Sequence, residues 1–386
     1  MTHGFFLANI KSYPFGQTAL ETEFIDQGFS LENMFGHFDD FSFRNFYNLN
    51  RIDKIDADKK FIMLSVNMPV TYKLKLNFPT IEKINKDPNT FLVLISILEG
   101  EIDHAKLFKE LSKQRINKDK VITLTSCYTH LENQFGLKFL YIDYWESFTR
   151  YHQRFLANAT DRRQVNLDAQ KKFLCLNRNQ KAHRIWFYFN LYRLKMLKQS
   201  HTSYHLPLLD IEMYNSLSKS TFVMKYVPRS LHPEYENFLN KTYEGRKLDK
   251  LSADPINYNN SILQYYDDSL FSIVTESSFR YTFLTEKTFK AIVHCHPFFI
   301  IGNKQHHWLL RENGYHTFED FFETESVENF DESSNFLSKI KYTDIESYKN
   351  KFDQKFIDKL YSNYDNFYNR KISWLDIENK LLKATR

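Results

Sequence analysis

The sequence predicts an α/β protein with two domains, and two observations lead to this prediction. Short apolar runs rich in Ile, Val, Leu and Phe alternate with polar, helix-compatible stretches in both halves of the chain. This alternation is typical of buried parallel strands joined by crossover helices. The length of 386 residues also exceeds one ordinary domain, since domains commonly hold roughly 100 to 200 residues. We therefore expect two doubly wound, Rossmann-like cores.

Four apolar runs predict the strands of the first domain. They cover residues 60–66, 90–98, 121–127 and 137–142. Between the second and third runs, residues 102–114 place Leu107 and Leu111 four residues apart on one face, as a crossover helix would. We assign residues 1–160 to this first α/β domain.

A polar and basic segment, residues 158–172, precedes a new strand, and we place the domain boundary there. The elements expected beyond it are a strand at 173–177, a helix at 181–197, a strand at 270–275, a helix at 286–294 and a strand at 297–301. They form a second α/β domain over residues 171–340. Residues 341–386 are charged and helix-like, so we expect a C-terminal helical tail that packs back on the domains.

The composition excludes several classes of protein. Hydrophobic residues make up 42% and charged residues 26%, as in globular proteins. The formal net charge of +5 permits an anionic ligand without requiring one. The three cysteines lie far apart without a CxxC, so neither a zinc site nor a disulfide framework is expected. The start of the chain lacks a signal-peptide pattern, and no run reaches the ~18 apolar residues of a membrane span. We expect a cytoplasmic protein without an integral membrane segment.

The most informative stretch is residues 270–302. A buried strand delivers Glu276 to a loop, and Thr285 is suited to be the N-cap of a helix that opens with Glu286 and Lys287. Ligands of open α/β sheets bind outside the carboxyl ends of the strands, where a helix N-terminus favours phosphate. Lys287 adds a full positive charge, and the two carboxylates can accept hydrogen bonds from sugar or ribose hydroxyls.

This stretch resembles the donor-binding motif of the family 10 glycosyltransferases, the α1,3-fucosyltransferases. The likeness lies in LFSIVTES followed by FLTEKTFKAI. The resemblance implies that Glu276 takes the place of the first motif glutamate, Glu286 binds a hydroxyl, and Lys287 meets the diphosphate. Ser277 stands where the family usually has Asn and Phe283 where it has Tyr, so any hydrogen bond that those groups make to the donor is missing. The sugar therefore stays open between fucose and another hexose.

A second element of this family is a strand followed by a helix that carries a phosphate-binding arginine. Residues 173–193 look like that element, and Arg184 is our choice for the arginine, with Arg178 and His183 as neighbouring alternatives. An arginine offers a planar fork that matches a phosphate. The following segment, residues 300–326, is similar to stretches of uncharacterised glycosyltransferase-like proteins of phages and bacteria.

The resemblance implies the GT-B fold, in which two Rossmann-like domains face each other across a cleft. It also implies transfer of a sugar, with inversion, from a nucleoside diphosphate sugar to an acceptor hydroxyl of a glycan or other acceptor. No metal and no cofactor beyond the nucleotide sugar is expected. A carboxylate of the first domain would remove the acceptor proton, and we nominate Glu99, with Glu101 and Asp103 as alternatives.

Two other patterns favour ordinary structural roles. Asp56 and Asp58 form a DxD, the metal-binding signature of the GT-A transferases, but they lie in a charged turn before a strand rather than after one. Four histidines also cluster in the second half of the chain: His294, His296, His306 and His307. No carboxylate or Cys accompanies them at a recognised ligand spacing, which favours a role without metal.

A basic cluster lies at the expected domain boundary and consists of Arg162, Arg163, Lys171 and Lys172. A solvated linker is the simplest interpretation, and an acceptor-binding basic edge is the alternative. Two other functions also stay open. A DNA glycosyltransferase acting on a modified base is compatible with the net basic charge. A nucleotide-sugar or nucleic-acid binding module without catalysis is the other. The oligomeric state has no signal in the sequence.

Overall fold

The computed structural model describes the following residues of the chain: 3–7, 59–65, 76, 78–96, 103–128, 135–151, 153, 162–177, 181–204, 227–241, 248, 262–276, 281–372 and 374–386. The chain divides into two compact units. The first unit contains residues 1–151 and 371–386, and the second contains residues 152–370. Each unit has its own parallel β-sheet, so the expectation of an α/β, Rossmann-like protein is confirmed.

The first unit is built on a five-stranded sheet with the order β1-β2-β3-β4-β5. Its strands are β1 (His3–Leu7), β2 (Lys59–Ser65), β3 (Thr90–Ser96), β4 (Val121–Thr125) and β5 (Lys138–Tyr141). Every neighbouring pair is parallel. All residues of β3 are buried, as expected of a central strand that is covered on both faces.

Three helices of the first unit follow strands of this sheet. They are α1 (Phe78–Lys86), α2 (His104–Lys113) and α3 (Tyr144–Tyr151). Leu107 and Leu111 of α2 are buried with Leu92 and Leu94 of β3 in one core, which confirms the amphipathic crossover helix predicted there. Asp103, an alternative candidate for the base, is the N-cap of α2 and accepts a hydrogen bond from the Lys106 amide at 2.9 Å.

The second unit is built on a four-stranded parallel sheet with the order β7-β6-β8-β9. Its strands are β6 (Lys171–Asn177), β7 (Ser200–Tyr204), β8 (Ser269–Thr275) and β9 (Phe298–Ile301). All residues of β8 are buried, and it lies between β6 and β9. The carboxyl ends of these strands share one edge of the sheet, which is where ligands of such sheets bind.

The structure gives the bounds of eight α-helices in the described part of the second unit. They are α4 (Ala182–Arg193), α5 (His232–Lys241), α6 (Glu286–Val293), α7 (Gln305–Glu312), α8 (Glu319–Phe322), α9 (Phe330–Tyr342), α10 (Ile345–Lys349) and α11 (Gln354–Asn369). A further helical segment, residues 262–267, precedes β8. Phe271 of β8 has ring contacts with Phe322 and Tyr348, so α8 and α10 cover one face of this sheet.

The last helix, α12 (Trp374–Ala384), belongs to the first unit. Ile377 and Leu381 are buried with Phe61 and Val93 of the first sheet. The Lys138 ammonium also donates to the carbonyl of Ala384 at 2.9 Å. The predicted tail, residues 341–386, is therefore shared, since its helices up to residue 370 pack in the second unit and α12 packs in the first. In the described part of the chain, no helix is both long and apolar enough to cross a bilayer.

Candidate functional site

The candidate site lies at the carboxyl ends of β6, β7 and β8, and hydrogen bonds connect these three strand ends. The Asn177 amide N–H donates to Ser203 Oγ at 2.9 Å, which links β6 to β7. The Thr275 hydroxyl donates to the side-chain oxygen of Asn177, which links β8 to β6. All three residues are buried. The strand ends therefore form a fixed edge beside which helix α6 begins.

Glu276 immediately follows β8 and anchors the start of α6. Its Oε1 accepts hydrogen bonds from the Thr285 amide at 2.9 Å and from the Thr288 hydroxyl at 2.7 Å. Its Oε2 accepts from the Thr285 hydroxyl at 2.7 Å. The side chain is fully buried. Glu276 thus places the N-terminus of α6 at the strand edge, and its oxygens are occupied by protein donors rather than turned to a ligand.

Thr285 is the N-cap of α6, as the sequence predicts. Its backbone is extended, and its hydroxyl oxygen accepts a hydrogen bond from the Lys287 amide at 3.4 Å. The same oxygen accepts from the Lys287 ammonium at 3.1 Å. The ammonium also lies 2.9 Å from Glu286 Oε1. Lys287 is therefore held against the first turn of α6, where the helix dipole adds partial positive charge.

Glu286 is an ionised carboxylate between two lysines. Burial raises its pKa, but the ammonium groups of Lys287 and Lys290 outweigh this effect and lower the pKa of Glu286 to about 2. Lys290 lies four residues after Glu286 and is 7% exposed. Residues four apart share one side of a helix. The first turns of α6 therefore present one carboxylate and two ammonium groups.

A pocket of about 600 Å³, including space open to solvent, lies against this side of α6. Its lining residues are Leu174, Leu176, Ser203, Tyr266, Ser272, Ile273, Val274, Glu286, Lys287 and Lys290. Among these residues, the sheet supplies an apolar surface with two serine hydroxyls, and α6 supplies the charged groups. Such a lining suits a ligand that carries both charged and apolar groups.

Arg184 and His183 lie in the first turn of α4 and support the end of β8. The Arg184 guanidinium donates to the Thr275 carbonyl from Nε at 3.2 Å and from Nη2 at 3.0 Å, and the residue is 2% exposed. His183 Nε2–H donates to the Glu276 carbonyl at 2.7 Å. Burial, together with the charge of Arg184, lowers the pKa of His183 to about 3 and keeps the ring neutral.

The predicted donor-binding residues thus form two groups, those that line the pocket and those that support it. Glu286 and Lys287 line the pocket. Arg184, Glu276 and Thr285 are not among its lining residues, and their hydrogen bonds hold the strand end and the helix start in place. The remaining candidates lie outside the described residues: Glu99, Glu101, Arg178, Ser277, Asp56 and Asp58. Phe283, which replaces the tyrosine of the resembled motif, is buried.

Eight of the ten pocket residues were not singled out from the sequence, and Lys290 and Tyr266 are two of them. Lys290 could have been found from its helical spacing, since it lies one turn beyond Glu286. Tyr266 belongs to the helical segment 262–267 and gave no motif. Its position depends on how that segment packs against β6, where Tyr266 is buried with Leu174.

His294 and His296 follow α6 and are buried beside Tyr266. The His294 ring lies against Tyr266 with 4.0 Å between the ring centroids. The Ser272 hydroxyl donates to His296 Nδ1 at 3.0 Å, and His296 Nε2–H donates to the Tyr266 carbonyl at 2.7 Å. Burial lowers the pKa of His294 and lowers that of His296 to about 4. Both rings are therefore neutral structural groups.

His306 and His307 hold the loop before α6 and the edge strand β9. His306 Nε2 accepts from the Phe283 amide at 3.0 Å, while Nδ1–H donates to the Asn303 carbonyl at 2.7 Å. His307 Nδ1 lies 2.9 Å from a carboxylate oxygen of Glu319. These contacts give the histidines separate structural tasks. Within the described ranges, no group of three or more His, Cys, Asp or Glu residues could hold a metal ion.

The four basic residues near the boundary have structural partners. Arg163 pairs with Asp267, and the Lys171 ammonium donates to the Lys198 carbonyl at 3.0 Å. The remaining two are Arg162, which lies 4.1 Å from the Tyr361 ring centroid, and Lys172, which donates to the carbonyls of Ile340 and Lys341. Lys172 is buried at the end of α9, so the prediction of a solvated linker is wrong for this residue.

No protein-family model matches the chain, and no curated protein is significantly similar to it. The resemblance of residues 270–302 to the family 10 glycosyltransferases therefore stays a prediction from the motif residues.

Proposed function

We propose that the protein is a glycosyltransferase that moves a sugar from a nucleoside diphosphate sugar to an acceptor hydroxyl. The observation on which this proposal depends is the pocket at the start of α6, lined by Glu286, Lys287 and Lys290 beside the end of β8. A helix N-terminus next to a lysine favours a diphosphate, and a carboxylate one residue away favours hydroxyl groups. A nucleotide sugar carries both kinds of group.

In this proposal Lys287 stabilises the diphosphate as it leaves the sugar. The acceptor oxygen attacks the anomeric carbon, the bond from that carbon to the phosphate oxygen breaks, and its electron pair departs with the diphosphate. In this proposal the Lys287 ammonium and the partial positive charge of the α6 N-terminus stabilise the negative charge that develops on the leaving diphosphate. Because these groups are fixed cations and dipoles, the proposed reaction needs no divalent ion.

Glu276 and Arg184 have positioning roles in this proposal. Glu276 holds the first turn of α6, and Arg184 holds the carboxyl end of β8, through the contacts described above. The acceptor proton would pass to a carboxylate of the first unit, for which we retain Glu99 as the nominee. With a Rossmann-like sheet in each unit, we propose that the protein is a GT-B enzyme that inverts the anomeric centre.

Thermal shift with nucleotides tests the proposal most directly, because a ligand that binds only the folded protein raises its Tm. The panel contains GDP, UDP, ADP, CDP, dTDP and inorganic diphosphate, each with Mg²⁺ and with EDTA. We expect a shift with at least one nucleoside diphosphate in EDTA. The shift should be lost in Lys287→Met and retained in Lys355→Met, whose lysine is exposed on α11.

A ligand identified in this way leads to the catalytic test. The matching nucleotide sugar is incubated with the protein, and release of the nucleoside diphosphate is followed with and without candidate acceptors. Release should fall by at least tenfold in Lys287→Met, since a group that stabilises the leaving diphosphate contributes several kcal/mol to the transition state. The proposal fails if no nucleotide shifts the Tm, or if release is equal in wild type and Lys287→Met.

A further inference from the structure

We propose that Lys290 reads the nucleobase of the donor and selects bases that carry a carbonyl at the edge farthest from the ribose. This inference rests on the proposed function of the same pocket. It concerns a residue to which the resemblance assigns no role, and it divides nucleotides into two classes. Guanine, hypoxanthine, uracil and thymine belong to the class that should bind, and adenine and cytosine belong to the class that should not.

Lys290 lies farther along α6 than Glu286 and Lys287. Helix α6 runs from the carboxyl end of β8 toward the start of β9, so each turn leads away from the strand edge. Lys290 is one turn beyond Glu286 on the same side of the helix. It is 7% exposed, yet it lines the pocket. Its side chain therefore begins one turn farther from the strand edge than that of Glu286.

The pocket residues that lie farther from the carboxyl ends of the strands are Leu174, Ser272 and Tyr266. Ser272 and Leu174 are partners in the register of β8 and β6, two residues before Val274 and Leu176 along their strands. Ser272 and Leu174 both line the pocket, as does Tyr266, which is 5% exposed. Together with Lys290, these residues supply an apolar surface, an aromatic ring, a hydroxyl and an ammonium group. This combination suits the flat, partly polar ring of a nucleobase.

The chemical groups of a nucleotide follow the same order as the groups along α6. A diphosphate at the helix N-terminus meets Lys287, and the ribose that follows reaches the Glu286 carboxylate. The base, which is the next group, is then directed to Ser272, Tyr266 and Lys290. A lysine ammonium has three donors and no acceptor. It pairs with O6 and N7 of guanine or O4 of thymine, whereas adenine and cytosine present an amino donor at that edge.

The test measures dissociation constants by isothermal titration for three pairs of ligands that differ at this edge: GDP and ADP, IDP and ADP, and UDP and CDP. Wild type should bind the carbonyl member of a pair at least roughly tenfold more tightly. In Lys290→Met, which keeps the length of the side chain, this preference should fall to about twofold. Lys290→Gln retains a donor and should keep part of the preference, and far-UV circular dichroism reports whether each variant folds.

Inorganic diphosphate separates this inference from the proposed function. Its affinity should fall far less in Lys290→Met than in Lys287→Met, because only Lys287 is assigned to contact phosphate. Equal binding of GDP and ADP by wild type, or loss of diphosphate binding in Lys290→Met, would overturn the role of Lys290 while leaving the nucleotide site intact. Absence of binding by every nucleotide and by diphosphate would instead overturn the proposed function.

Discussion

Replacement of Glu276 by alanine should destabilise the second unit, because this residue anchors helix α6 to the end of β8. The substitution removes the acceptor of three hydrogen bonds, which come from the Thr285 amide, the Thr285 hydroxyl and the Thr288 hydroxyl. All of these donors belong to buried residues. Once the carboxylate is lost, the Thr285 amide in particular has no freedom to turn toward another acceptor.

The expected cost follows from the energetics of charged hydrogen bonds. Such a bond contributes about 1.5–3 kcal/mol, and a buried donor left without a partner costs about 1–3 kcal/mol. The two hydroxyls can rotate, so we expect a total of about 3–5 kcal/mol rather than the full sum. In a unit of this size, each kcal/mol lowers Tm by about 2–4 °C. Tm should therefore fall by about 10 °C in Glu276→Ala.

Calorimetry of the full chain measures this change, with Glu325→Ala as a control. Glu325 is exposed in the same unit, and its loss should change the stability by less than about 0.5 kcal/mol. Glu276→Gln keeps one carbonyl oxygen and should cost about 1–2 kcal/mol. A Glu276→Ala protein with an unchanged Tm but no nucleotide binding would refute the anchoring role and make Glu276 a direct ligand contact.

Three further predictions concern other parts of the molecule. Leu381→Ala should destabilise the first unit by about 3 kcal/mol, because removal of its fully buried side chain leaves a cavity. Leu382→Ala should destabilise it less, because Leu382 is only partly buried. Equal losses of stability in urea unfolding would contradict the packing of α12. The urea concentration at the unfolding midpoint should decrease as the pH is lowered from 6.5 to 4. His183 and His296 have folded pKa values of about 3 and about 4, so they take up protons on unfolding below the usual pKa of about 6.5. A midpoint that stays constant over this pH range would contradict their neutral state in the folded protein. Glu286→Gln should bind inorganic diphosphate several-fold more tightly than wild type at low salt, because the negative charge that competes for the Lys287 ammonium is removed. Weaker binding in calorimetric titration would show that Glu286 does not compete with phosphate for Lys287.

Most strands could be predicted from the sequence, because a strand buried on both faces is an uninterrupted apolar run. The runs that predicted β3 and β8 are of this kind, and both strands are fully buried. Strand β7, with the sequence SHTSY, was missed because its buried side chains are polar. The Ser200 and Thr202 hydroxyls form a hydrogen bond with each other at 2.9 Å. The buried side chains of this edge strand are therefore satisfied by hydrogen bonds, and the sequence contains no apolar run there.

The candidate site was predictable only where its chemistry is local. Thr285, Glu286 and Lys287 are neighbours in the sequence, and the N-cap with its first turn follows from them alone. Whether Glu276 and Arg184 face a ligand or the protein depends on how α4 and α6 pack, and a pattern of residue types does not contain that information. In the structure both charged groups are directed to protein partners at the end of β8 or the start of α6.

The charge arrangement on α6 has a consequence for ligand choice. Lys287 is already paired with Glu286, so a phosphate group must compete with that carboxylate for the ammonium. A ligand that carries only phosphate gains the lysine but meets the negative charge of Glu286. A nucleotide also brings ribose hydroxyls, which can donate to Glu286 and so compensate the carboxylate for the partner it loses. On the proposed function, the pair therefore favours donors that carry a diphosphate and hydroxyls together, and this preference comes from two side chains that are already in contact with each other.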